Sequence, residues 1–176
     1  MVKKTLIIFT SLLIAFCFSA NGFAEPLTPQ LAKEKVIAAC KLIGAEGEAA
    51  FAKIKDPEGE FRFADGAGYI WIQDLNAVVL MHPIKPSLDG KDMSGFADKN
   101  GTLLFLNFSE ICEDKGAGWV PYVWPHPKRG DGTFPKISYV KAVKHGGKDY
   151  VAGAGMYDVT PADIKKQFPG DAIYED

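Results

Sequence analysis

The chain is poor in the features that announce most kinds of chemistry. Beyond residue 24 no apolar stretch approaches the roughly 20 residues a bilayer-crossing helix needs, so nothing after that point is expected to span a membrane. His82, His126 and His145 lie far apart and the cysteines form no Cys-x-x-Cys pair. Metal-ligand spacing and haem attachment are therefore both missing, and no metal or cofactor is expected. Basic charge is not concentrated either: 20 Lys and Arg stand against 22 Asp and Glu, and Lys128-Arg129 alone is too little for nucleic acid. Glycine is plentiful, but Gly66-Ala67-Gly68, Gly116-Ala117-Gly118 and Gly153-Ala154-Gly155 lack the pattern and the strand-to-helix setting of a phosphate loop. The last of these sits inside a strand candidate, where it is expected to permit close packing. Ser94 and Ser109 lack the surroundings of a nucleophile elbow, and Glu113-Asp114 reads as a solvated helix end. An enzyme is thus the least favoured class of function.

What is present begins with a leader. Lys3 and Lys4 precede an apolar run from Leu6 to Phe18, and Gly22-Phe23-Ala24 places small residues where a signal peptidase reads. Cleavage after Ala24 is expected, with residues 1–24 a signal peptide and the protein periplasmic or secreted. An uncleaved anchor is the competing reading, for which the run is short. Losing Lys3 and Lys4 leaves 18 basic residues against the same 22 acidic ones. Cys17 leaves with the leader, so Cys40 and Cys112 remain, an even pair in an oxidising compartment. A disulfide between them would add about 4 kcal/mol in the chain-entropy model. Two buried thiols that never meet is the equal alternative.

Thr28-Pro29 is a helix start: the hydroxyl can accept an orphan backbone N–H, and proline loses nothing at the first helical position. Ala32, Val36, Ala39, Cys40 and Ile43 recur at helical spacing, and Gly44 and Gly47 predict a break before a second piece ending near Ile54. Tyr69–Gln73 and Ala77–His82, separated by Asp74-Leu75-Asn76, predict an antiparallel hairpin. Residues 83–100 read as a long loop of the kind that is either functional or ordered by packing on a site. A short helix over Leu103–Cys112 with Gly116 as its stop follows. Strands are expected at 119–124, 137–144 and 150–156, the last two joined by a tight glycine turn, and Thr160-Pro161 caps a final helix. The sum is an α+β fold: a long N-terminal helix on a meandering five-stranded antiparallel sheet, with a loop-and-helix insertion between strands two and three. The other face of the sheet, under the insertion, is where a pocket would form.

Aromatic residues concentrate between Trp119 and Tyr139. Alternation puts Tyr122 and Trp124 on one face, and each ring offers an apolar wall with a polar tip. The adjoining strand opens with Lys136, Ser138 and Tyr139, a cation and hydroxyls suited to a small carboxylate, because a desolvated anion needs a countercharge and direct donors. The competing reading is that these rings simply cap the core. Lys136 and Tyr139 differ by an odd number of positions and cannot share a face, and which face lines the pocket stays open. His82, before Pro83, could donate to a ligand and make binding sensitive to pH near neutrality; a satisfied strand-end histidine is the alternative.

Tyr69-Ile70-Trp71-Ile72, Val79-Leu80-Met81-His82-Pro83, Leu88-Asp89-Gly90-Lys91, Asp98-Lys99-Asn100-Gly101, Gly118 to Pro125 and Pro135 to Val140, in that order, resemble the single Cache domain of type 2. The resemblance runs from the first helix to about Tyr157. It implies a PAS-like extracytoplasmic sensor fold, taken here as residues 25–159, with 160–176 a short helix and tail. It also implies a ligand pocket drawn from Tyr69, Trp71, His82, Tyr122, Trp124, Lys136 and Tyr139. Members commonly sit between two membrane helices, and no second such segment is found in this sequence. The expectation is a stand-alone sensory module that binds a small metabolite, a short-chain carboxylate, and signals through a membrane receptor or kinase partner. A non-sensory interaction module of an extracytoplasmic complex is the alternative.

Overall fold

The structure is a computed structural model that describes residues 25–126 and 129–175. The expected leader and Lys128 lie outside the described residues. Helix α1 (Pro29–Glu46) starts as its sequence dictates, with the Leu31 N–H donated to Thr28 Oγ1 at 3.2 Å and proline in the first turn. Its stripe of Val36, Ala39 and Ile43 is fully buried. Truncating Ile43 to alanine would cost about 2–5 kcal/mol. The helix breaks at Gly47, which has φ 61°, and after the 3₁₀ turn Gly47–Ala49 the short α2 (Ala50–Lys55) follows. Only glycine fits there, since a Cβ would lie 2.5 Å from the His145 ring.

A small hairpin, β1 (Arg62–Phe63) and β2 (Gly68–Tyr69), leads into β3 (Trp71–Gln73) and β4 (Val79–Met81). The Asp74 carboxylate makes the turn between β3 and β4 by accepting the N–H groups of Asn76 (2.9 Å) and Val78 (2.8 Å). The loop after β4 runs to α3 (Leu104–Lys115), which stops at the left-handed Gly116. Strands β5 (Ala117–Trp124), β6 (Phe134–His145) and β7 (Lys148–Tyr157) complete the sheet, with Gly146-Gly147 closing the last hairpin at positive φ. Helix α4 (Pro161–Gln167) opens with a full capping box between Thr160 and Asp163.

The five antiparallel strands are not a simple meander: their order is β4-β3-β7-β6-β5. The insertion after β4 carries the chain to the far edge, so the last three strands build inward until β7 meets β3, with Trp71 opposite Gly153. Helix α1 covers the face bearing Ile72, Ile137, Tyr139, Ala154 and Met156. Helix α3 covers the face bearing Trp71, Val120, Tyr122, Trp124 and Val140. Cys40 and Cys112 belong to these two separate cores and are free, buried thiols rather than a bridge, with the sheet between them. Burial pushes both thiols up to about 12, so neither forms a thiolate readily.

Both sheet edges are covered. Along β5, the Trp119 N–H goes to Ala172 O (2.9 Å) of the C-terminal segment, Pro121 has no N–H, and the Val123 N–H goes to Asp98 Oδ2 (2.8 Å). Along β4, Val79 exchanges bonds with Lys91 O (3.0 Å) and Gly90 N–H (2.7 Å).

Candidate functional site

Register, rather than sequence alone, builds the site. Lys136 on β6 lies opposite Tyr122 on β5 and Tyr157 on β7, so these three form one row across the sheet on the α3 side. The next row is Val120, Ser138 and Gly155, and the one after it holds Val140, Gly153 and Trp71. Helix α3 supplies the roof: the Phe108 ring is 5.3 Å from Trp71 and 5.5 Å from Tyr122, and Phe105 meets Trp124 at 6.1 Å.

Between floor and roof is a two-part cavity. The inner chamber, lined by Tyr69, Trp71, His82, Tyr122, Trp124 and Lys136 with the roof residues Leu104, Phe105 and Phe108, has a volume of about 20 Å³. That is room for about one water-sized body. The outer chamber shares Tyr69, His82, Trp124 and Lys136, adds Lys85 and Tyr157 among others, and holds about 130 Å³. No Asp or Glu lines either chamber among the described residues.

Lys136 is 4% exposed, and among the described residues it makes no ion pair. Its Nζ donates to Tyr69 Oη at 3.3 Å and lies over the rings of Tyr157 (5.0 Å), Tyr69 (5.3 Å) and Tyr122 (6.0 Å). Aromatic faces attract a cation without neutralising it. The Tyr122 hydroxyl bonds Ser138 Oγ at 2.8 Å, and burial holds its acidity well below that of an ordinary phenol, so it stays neutral. The Trp71 indole N–H is buried without a partner among the described residues, and its ring lines the inner chamber. Such a donor is costly to leave unmade and is available to a ligand acceptor.

His82 is both a satisfied strand-end residue and a wall of the cavity. Its Nδ1 accepts the N–H groups of Ile84 (3.2 Å) and Lys85 (3.0 Å), which fixes the ring proton on Nε2. Burial first, then the charges of Lys136 and Lys85, lower its pKa to about 4, against the opposing pull of Asp89. The expected titration near neutrality is corrected accordingly: His82 is a neutral Nε2–H donor throughout the physiological range. Lys85, from the same turn, lies over the Trp124 ring at 4.6 Å.

Six of the residues expected at the pocket thus meet in one cavity, and Tyr139 does not. It lies on the opposite face, 5.0 Å from the Trp119 ring and 5.3 Å beneath Lys33 Nζ, because its odd spacing from Lys136 puts it among the α1 contacts. The sequence reading missed Tyr157, Lys85 and the roof residues Leu104, Phe105 and Phe108. The Phe105/Phe108 spacing in a helix was visible but reads equally as plain packing, and Tyr157 follows from Gly153 and Gly155 by alternation once β7 is recognised.

A helix on one sheet face and a small buried cavity with converging donors on the other make an α+β domain of PAS-like build with a site for a small ligand. The chain belongs to the Cache domain family, whose model matches residues 46–164. It is similar to the methyl-accepting chemotaxis protein McpP of Pseudomonas putida strain KT2440, with 34% identity over 104 residues, 58% of this chain and 19% of that receptor. The chain thus spans about a fifth of the length of the curated relative it matches. A solved periplasmic sensor domain of a chemotaxis protein shares 34% identity, covering 74% of this chain and 94% of that one at a TM-score of 0.59. A Cache chemosensory domain solved for the structural basis of its carboxylic acid recognition shares 31% identity over 74% of this chain and 88% of that one, at a TM-score of 0.57. These relatives are sensors rather than enzymes. Among the described residues no helix is long and apolar enough to cross a membrane.

Proposed function

We propose that this chain is an exported sensory module that binds a short-chain carboxylate in the cavity under α3 and passes occupancy to a receptor or kinase partner. The observation that carries the reading is Lys136, a buried cation whose surroundings offer π faces and neutral donors but, among the described residues, no acid. A ligand carboxylate would complete it, with Lys136 as countercharge and Tyr69, Tyr122, Trp71 and His82 supplying hydrogen bonds. The same lining argues against amines and amino acids, whose ammonium groups would find no carboxylate there. The recognition of carboxylic acids named for one relative agrees with this chemistry. The inner chamber has room for one carboxylate oxygen, and the rest of the acid would lie in the outer chamber.

Thermal-shift measurements on residues 25–176 with acetate, propionate, butyrate, glycine and ethylamine test the reading. An acid at about 100 times its dissociation constant adds about 2.7 kcal/mol, a rise of roughly 5–10 °C for a domain of this size. Ethylamine should give none. A flat response to every acid would overturn the reading. It would favour the second one, a docking module whose cavity is filled by its own rings, which draws on the small inner volume. Export itself is tested by N-terminal sequencing of the mature protein, expected to begin at Glu25.

A further inference from the structure

The Gly153-Ala154-Gly155 segment of β7 has no part in the chemistry described so far, yet both glycines lie under the cavity. Alternation sends Ala154 to the α1 face and leaves its two neighbours facing α3. Neither glycine has positive φ, so backbone freedom does not explain them. Space does. A Cβ on Gly155 would lie 2.4 Å from Lys136 Cε, 2.4 Å from Ser138 Oγ and 3.1 Å from Lys136 Nζ. A Cβ on Gly153 would lie 2.4 Å from Trp71 Cζ2 and 2.5 Å from Cη2. The lysine stem and the indole ring therefore lie flat on bare backbone.

We infer that Gly155 and Gly153 are positioning residues that set the height of the cavity floor, Gly155 holding Lys136 and Gly153 holding Trp71, and so decide which ligands fit. The inference rests on the proposed carboxylate reading of the cavity. Ser138 Oγ and the end of Lys136 must both give way to a new methyl, the serine by rotating off its bond to Tyr122 and the lysine by swinging its flexible end aside. The inner chamber, with room for about one water-sized body, cannot take it. The outer chamber, about 130 Å³ and also walled by Lys136, can. Gly155→Ala is thus expected to fold, while its Lys136 ammonium is drawn off Tyr122 into the outer chamber.

The test pairs Gly155→Ala with Gly95→Ala, a control at an exposed position where a Cβ meets nothing within 4 Å and φ is ordinary. The first measurement needs no ligand: reductive methylation of Lys136 with formaldehyde and a borane, followed by mass spectrometry. Methylation of Lys136 should rise several-fold in Gly155→Ala and stay at the parent rate in Gly95→Ala. Calorimetry with sodium acetate and sodium butyrate should then show Gly155→Ala weakened roughly ten-fold or more for both, equivalent to one charge-assisted contact. An unchanged methylation rate overturns the positioning role whatever the acids do. Raised methylation with undiminished acid affinity overturns its link to ligand choice. Raised methylation in a protein whose parent binds neither acid supports the positioning role and counts against the carboxylate reading alone.

Discussion

Replacing Lys136 by methionine separates binding from stability, because the two should move in opposite directions. Methionine keeps the length of the stem and removes the charge. A ligand carboxylate about 4 Å from the ammonium is attracted by about 4 kcal/mol at an effective dielectric constant near 20. The neutral donors of Tyr69, Tyr122 and Trp71 survive the change. The expected loss is therefore about 2–4 kcal/mol, roughly 30- to 1000-fold in affinity. In the ligand-free protein the balance reverses. Burying an ammonium without an opposite charge costs several kcal/mol, and the surrounding rings return about 0.5–2 kcal/mol for each well-placed contact. A thioether among aromatic rings is at home there. Lys136→Met should then melt higher than the parent by roughly 2–4 °C for each kcal/mol recovered. Calorimetric titration with acetate and a melting curve without ligand give the two readings. A variant that melts several degrees lower would make Lys136 a structural residue, and one that retains acetate affinity would place binding elsewhere.

Three further outcomes are expected. For His82 the unfolded chain takes up a proton near pH 6.5 and the native state only near pH 4, so its contribution is complete above about pH 6.5. That contribution is lost as pH falls toward 4, by roughly 3 kcal/mol in all; an NMR titration placing the His82 midpoint near 6.5 would refute the burial argument. Asp98→Ala leaves the Asn100, Thr102 and Val123 N–H groups without their acceptor and should cost about 1–3 kcal/mol in urea unfolding, with Asp98→Asn recovering part of it. Thiol titration should find no reactive cysteine in the native mature protein and two per chain in denaturant; a single chain with none in denaturant would restore the disulfide.

Local chemistry made much of this fold legible. Thr28-Pro29, the Gly116 stop, the Gly146-Gly147 hairpin and the Thr160 cap each act within a few residues, and each element forms where its signal stands. Strand order did not follow, because pairing Trp71 with Gly153 depends on where the insertion carries the chain. The site divided along the same line. Alternation correctly kept Lys136 apart from Tyr139, but only the register shows that the Lys136 face meets α3, and only burial shows that His82 stays neutral. Family resemblance supplied Tyr69 and Trp71, which no periodicity in their own strands singles out, and joined His82 to them.

The covered sheet edges restrict how this domain can speak to another protein. A partner that recognises its target by adding a strand needs a row of free main-chain groups, and here the C-terminal segment, Pro121 and the Asp98 carboxylate occupy one side while the 90–93 loop occupies the other. Recognition must instead read side chains on helices or loops. Since α3 is at once the lid of the cavity and tied through Glu110 to Tyr174 of the terminal segment, a change in the lid is also a change in the surface on offer.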